Sequence, residues 1–145
     1  MDELEYAPLT ELLGLQRNAI LYRPILAKIT GRVTAAILLQ QVIQYASGKG
    51  YRPFYKYRAP CPQADVYREG DSWLERLQFS PAEFDCARRT IGTKITKGMS
   101  KRKALMGTEI KNLVIYWTDS ERVTWYLLNV HLLESLLRAN LHNKS

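Results

Sequence analysis

DSWLERLQFSPAEFDCARRTIGTKITKG, residues 71–98, decides the fold, because it holds two helix starts eight residues apart. In Ser72-Trp73-Leu74-Glu75 the serine hydroxyl can accept from the third helical amide while Glu75 reaches back to the serine N–H, a reciprocal capping box. Ser80-Pro81-Ala82-Glu83 repeats the pattern, and Pro81 takes the first helical position, where its missing N–H costs nothing. The spacing predicts a short helix from about Trp73 to Gln78, a turn of about three residues, and a second helix from Pro81 to about Gly98. Phe84, Ala87, Ile91 and Ile95 then share one helical face and are expected to pack on Trp73, Leu74 and Leu77. The opposite face carries Cys86, Arg89, Thr90, Thr93, Thr96 and Lys97, with Arg88 and Lys94 on its flanks.

Two helices at this spacing form a helix-turn-helix, whose second helix is the one offered to the DNA major groove. The charge distribution points the same way. The chain has 145 residues, with 21 Lys plus Arg against 14 Asp plus Glu, a net charge of +7. Arg88, Arg89, Lys94, Lys97, Lys101, Arg102 and Lys103 lie between Cys86 and Thr108 with no carboxylate among them, and the remaining chain is balanced. A concentrated excess makes a local field that attracts polyanions, where an even one would serve only solubility. Arg suits guanine, Thr and Lys suit phosphates or base edges, and Lys101, Arg102 and Lys103 are expected to hold phosphates beside the helix.

Outward from this unit the pattern stays mainly helical. Thr10 is placed to cap a short helix from Glu11 to about Gln16, and another should follow Pro24 through Ile25, Leu26 and Ile29 to Gly31. Val33 to Ser47, VTAAILLQQVIQYAS, is apolar on most of its circumference and predicts a central buried helix stopped by Gly48 and Gly50. Pro53 to Tyr57 reads as a short strand at a sheet edge, and Ala59 to Gly70 as a connector. After a short turn or helix at Ser100 to Met106, the runs from Asn112 and from Arg122 are β-branched and aromatic, separated by Asp119, Ser120 and Glu121. They predict a hairpin, a wing over about 112–129, with Arg122 near the DNA backbone. Trp117, Trp125, Tyr116 and Tyr126 are read as core, beside a last amphipathic helix carrying Leu132, Leu133, Leu136 and Leu137.

This order of elements resembles a family of winged-helix proteins of phages, plasmids and integrated mobile elements, related to replisome-organiser and replication-initiator DNA-binding domains. The resemblance rests on AAILLQQVIQYA (35–46), FYKYRAPC (54–61), YREGDSWLERLQFSPAEFDCARRTIGTKI (67–95) and LVIYWTDSERVTWYLLN (113–129). It implies one α+β domain over residues 1–145, mainly helical, with a helix-turn-helix at about 71–98, a two-stranded wing and a short extra strand. It also implies duplex DNA binding. The chain departs from the family pattern by inserting Ala59 to Arg68 before the first helix of the motif. Many relatives carry a further C-terminal region that recruits replication partners, whereas this chain ends soon after the wing and reads as the DNA-binding module alone.

Other chemistries find little footing. His131 and His142 form no nickase pair or HExxH motif, and Cys61 and Cys86 have neither zinc-ligand nor disulfide-framework spacing. Glu109 and Lys111 make an E-x-K triplet without the upstream Pro-Asp pair of metal-dependent nucleases. Gly92 and Gly98 belong to no phosphate loop and are expected to permit a close approach or to end the helix. In the loop before the motif, Arg68 is expected to pair with Glu69 or Glu75, and Asp71 or Ser72 to cap the next helix. No apolar run reaches the roughly 18 residues of a membrane span, and the acidic start MDELEYAPLTEL is unlike a signal peptide. The expectation is a cytoplasmic, non-enzymatic protein without cofactor or metal. It binds duplex DNA sequence-specifically as a transcription regulator or replication-initiation factor, as a homodimer or with a replication or transcription partner. The alternative is a protein-interaction module, in which the same basic face meets an acidic partner.

Overall fold

The structure is a computed structural model describing residues 7–14 and 19–142. It is α+β, with helices in the majority and a small four-stranded sheet. Helices α1 (Ala7–Gly14), α2 (Pro24–Thr30) and α3 (Val33–Gly48) precede strand β1 (Phe54–Tyr55). Then come α4 (Trp73–Leu77), α5 (Pro81–Ile91), β2 (Gly92–Lys94) and α6 (Lys101–Leu105). Strands β3 (Val114–Thr118) and β4 (Thr124–Leu128) and helix α7 (Val130–His142) follow among the described residues. Among the described residues no helix is long and apolar enough to cross a membrane.

Both capping boxes are closed. Ser72 accepts from the Glu75 amide at 3.2 Å while Glu75 accepts from the Ser72 amide, and Ser80 and Glu83 do the same at 3.1 and 2.8 Å. Glu75 also accepts from Tyr67 and from the Gly70 amide, so this carboxylate, rather than an Arg68 ion pair, ties the preceding loop down. The Tyr67 hydroxyl foremost, with Ser72, holds Glu75 below the usual carboxylate range. Gly31 caps α2 in the left-handed conformation at φ 80°, which only glycine adopts without cost. Thr10 sits inside α1, which begins at Ala7, so it is not the cap its position suggested; Gln16 lies outside the described residues.

The central helix α3 is buried along most of its length and packs on α2, α5 and β4. Phe84, Ala87 and Ile91 of α5 are within 1% of full burial, with the Phe84 ring 6.0 Å from that of Trp73. Ile95 is buried too, at 9% exposed, but outside the cluster that holds the other three. The sheet order is β1-β4-β3-β2, with β1·β4 and β3·β4 antiparallel and β2·β3 parallel. Its inner face, formed by Phe54, Tyr126, Tyr116, Val114 and Leu128, joins the core, as do Leu132 and Leu133 of α7.

One element differs from the sequence expectation in a way that matters for function. The helix from Pro81 ends at Ile91, not near Gly98. Gly92 has extended dihedrals (φ −130°, ψ 153°) and opens β2, which pairs Gly92, Thr93 and Lys94 with Val114, Ile115 and Tyr116. The Ile95 amide extends the pairing to the Tyr116 carbonyl at 2.7 Å. Glycine is a poor helix former, and Thr93, Ile95 and Thr96 are β-branched, so a free sheet edge outcompetes another turn of helix.

Candidate nucleic-acid interface

With α5 ended at Ile91, the basic segment is divided among elements. Arg88 and Arg89 lie on α5, Lys94 at the end of β2, Lys97 in the following turn, and Lys101, Arg102 and Lys103 on α6. Thr93, Lys94, Thr96 and Lys97 are therefore not residues of a groove-reading helix.

Several expected contact residues are already engaged within the fold. Arg88 donates to the Tyr126 hydroxyl at 3.1 Å, lies 3.9 Å from Asp85, and covers the Phe84 and Tyr116 rings at 5.0 and 4.6 Å. It clamps α5 to the sheet. Arg58, from the loop after β1, makes a bidentate pair with Asp85 at 2.9 Å through each contact. The Arg58 hydrogen bond is the main reason that the Asp85 carboxyl lies below its ordinary range. Thr93 donates to the Lys111 carbonyl at 2.6 Å, and Thr90 donates back to the Cys86 carbonyl at 2.9 Å. Thr96 contacts the Met99 sulfur through both its amide and its hydroxyl.

What remains outward on α5 is Arg89, exposed and in no ion pair among the described residues, with half-buried Thr90 and Cys86 beside it. A cation that the motif alone did not point to joins them. Arg32, at the start of α3, donates to the Cys86 sulfur at 2.8 Å, bringing a guanidinium onto the α5 surface across 54 residues of sequence. No spacing rule could have found it, because only the packing of α3 on α5 creates the contact.

The remaining cations divide between the two sides of the sheet. Tyr116 faces α5, since its ring lies under Arg88 and stacks with Tyr126 at 5.8 Å. Lys94 is its register partner, so it shares that side. Successive strand residues alternate faces, so Trp117 points away from α5. The Lys101 ammonium sits 3.7 Å from the centre of the Trp117 ring, and α6 packs along β3. Lys101 is thus on the reverse side from Arg89 and Lys94. The hairpin tip carries Arg122, exposed and left-handed at φ 64°. Asp119 shapes the turn by accepting from the Glu121 and Val123 amides and, at 2.9 Å, from the Trp125 indole. These donors, the indole first, hold its carboxyl below the usual range.

Tyr116 and Tyr126 are buried, as read from the sequence, but Trp117 and Trp125 are only half-buried and stand on the reverse face. Among the described residues no group of His, Cys, Asp and Glu could hold a metal ion. No family model matches the chain, and neither a curated protein nor a solved structure shows significant similarity to it.

Proposed function

We propose that the protein binds duplex DNA as a winged helix, with α4 and α5 as the helix-turn-helix and the β3–β4 hairpin as the wing. The observation that carries this reading is architectural. A pair of capped helices backed by α3 is followed by a tight hairpin whose strands continue the sheet in the order β1-β4-β3. On that scaffold Arg89 is exposed on α5, Arg32 is drawn beside it, and Arg122 tops the hairpin. Arg89 supplies the base contact and Thr90 lines the approach. Arg32, Lys94, Lys97 and Arg122 meet phosphates. In this reading Arg88 acts from within, by fixing α5 on the sheet.

The expected biological role is that of a transcription regulator or replication-initiation factor of a mobile element, in keeping with the resemblance to replisome-organiser and replication-initiator domains. A gel-shift titration against random and genomic duplex, with an acidic peptide as competitor, tests the reading. Binding to duplex that Arg89→Ala weakens supports it. Binding to the acidic peptide alone would instead favour a protein-interaction module. Sequencing of captured genomic fragments would then separate origin from promoter targets.

A further inference from the structure

The sheet face turned away from α5 is built unlike an ordinary solvent face. Register places Tyr55, Trp125 and Trp117 side by side on neighbouring strands: Tyr55 opposite Trp125, and Trp125 opposite Trp117. The Tyr55 and Trp125 rings are 5.3 Å apart in an edge-on pair, and Tyr55 is 43% exposed. At one end of this row, Lys101 of α6 caps Trp117, with Arg102 and Lys103 exposed next to it. At the other end, a cleft of about 550 Å³ opens along β1, lined by Tyr55, Tyr57, Tyr67 and Trp125 together with Lys49 and Arg68. Tyr57 and Tyr67 form a second edge-on pair at 5.7 Å.

The charges around the cleft are informative. Lys56, also in its lining, is buried and neutralised, donating to the Asp71 carboxylate and carbonyl at 2.8 and 2.7 Å and to the Tyr45 hydroxyl at 3.1 Å. Lys49 and Arg68 are exposed and make no ion pair among the described residues; of the nearby carboxylates Asp71 does line the cleft, exposed but paired with Lys56, whereas Asp65 and Glu69 do not. Aromatic walls, two unpaired cations and a further basic cluster at the far end of the same row suit a ligand that alternates planar rings with phosphates. A peptide without carboxylates would leave these cations unused, an acidic one lacks a planar ring beside each charge, and a duplex hides its base faces from the rings.

We infer that this reverse face binds an unpaired nucleic-acid strand. One base stacks on Tyr55 at the mouth of the cleft, Arg68 and Lys49 meet its phosphates, and the strand continues over Trp125 and Trp117 to α6. Stacking on exposed aromatics tolerates any base, so the surface holds strand without reading sequence. This inference is separate from duplex docking by α5, since the strand would lie along the β1 edge and the reverse face of the sheet, with Lys49 reaching the cleft from the end of α3.

The test is fluorescence anisotropy of a labelled oligo-thymidylate strand and, separately, of a labelled duplex, with the full chain. Tyr55→Ala is expected to weaken strand binding about 5- to 150-fold, as loss of one base–aromatic stack does, while duplex binding changes less than about twofold. Tyr55→Phe, which keeps the ring, should retain strand binding. Arg89→Ala should do the reverse of Tyr55→Ala, weakening duplex and sparing strand. Equal strand affinity for wild type and Tyr55→Ala would overturn the proposal, as would the absence of strand binding by the wild type. Competition by thymidine monophosphate as effective, per base, as the strand would also overturn it, by making the cleft a site for a free nucleotide.

Discussion

Salt dependence distinguishes the two sides of the sheet more sharply than affinity does. Each phosphate neutralised on a duplex releases condensed counterion, so log K falls against log salt with a slope of about −0.9 per contact. Were the whole basic segment one groove surface, changing Lys101, Arg102 and Lys103 together to Ala would lower the magnitude of the slope by about 2.7. The structure argues for much less. Lys101 lies over the Trp117 ring at 3.7 Å, and Trp117 points away from the side on which Arg88 and Tyr116 hold α5. The triple variant should therefore change the duplex slope by less than about 1, while Arg32→Ala with Lys94→Ala, both assigned to phosphates, removes about 1.8. Anisotropy titrations of a labelled duplex between about 50 and 300 mM salt give the slopes. A loss of 2 to 3 units in the triple variant, with none in the double variant, would put the duplex on the α6 side and refute the assignment of faces.

Four further outcomes follow from the packing. Ile91→Asp places a carboxylate at a position 1% exposed and should abolish cooperative unfolding, seen by circular dichroism on heating; a wild-type melting curve would contradict the helical phase assigned to α5. Gly92→Ala should cost about 1 to 3 kcal/mol in a urea titration, because the added methyl would lie 2.9 Å from the Arg88 carbonyl and 3.1 Å from the Tyr116 ring; an unchanged midpoint would show that α5 and β3 can separate there. Ser72→Ala and Ser80→Ala should each cost about 1 kcal/mol by removing one half of a closed capping box, and a neutral result at either serine would count against that cap as a stabilising contact. Asp85 is held below its unfolded value by Arg58, so the stability it contributes is present above the ordinary carboxylate range and is lost as pH falls through the lowered value. Asp85→Asn should flatten the urea midpoint between about pH 5 and pH 2, and an unchanged acid limb would assign that stability to other carboxylates.

Local rules made the helix starts legible from α2 onward, but not that of α1, and left the ends of some elements and the far contacts hidden. A capping box is written in four consecutive residues, so α4 and α5 begin where Ser72 and Ser80 place them. The hairpin was equally readable, since two β-branched and aromatic runs flank a polar turn that Asp119 organises. The end of α5 was not. Phe84, Ala87, Ile91 and Ile95 keep a helical period, and all four are buried, yet Ile95 is delivered by an extended segment. Burial periodicity does not specify the backbone that delivers it when a strand edge is available nearby. The Arg32–Cys86 and Arg58–Asp85 contacts span 54 and 27 residues, and no sequence spacing encodes them. The tryptophans are a subtler case. Aromatic content marked β3 and β4 as buried strands, but a strand has two faces, and Trp117 and Trp125 fall on the one the core does not cover.

Gly92 is where these threads meet. Its missing side chain lets the chain pass against the Tyr116 ring and the Arg88 carbonyl, a space that any Cβ would fill. Because the chain can pass there, it leaves α5 and pairs in parallel with β3. A helix carried on to Gly98 would have set Lys97 on the same face as Arg89, with Lys94 on its flank, and a single basic helix would have accounted for much of the charge excess. With the break, Arg89 stays on α5 and Lys94 on the near side of the sheet, and the chain then reaches α6 and delivers Lys101 to the far side. The seven cations that look like one patch in sequence are thus distributed around β3. A field so divided does not lie along one helix face, and its second share sits beside the aromatic row of Tyr55, Trp125 and Trp117. Duplex and unpaired strand together match that division of charge better than either does by itself.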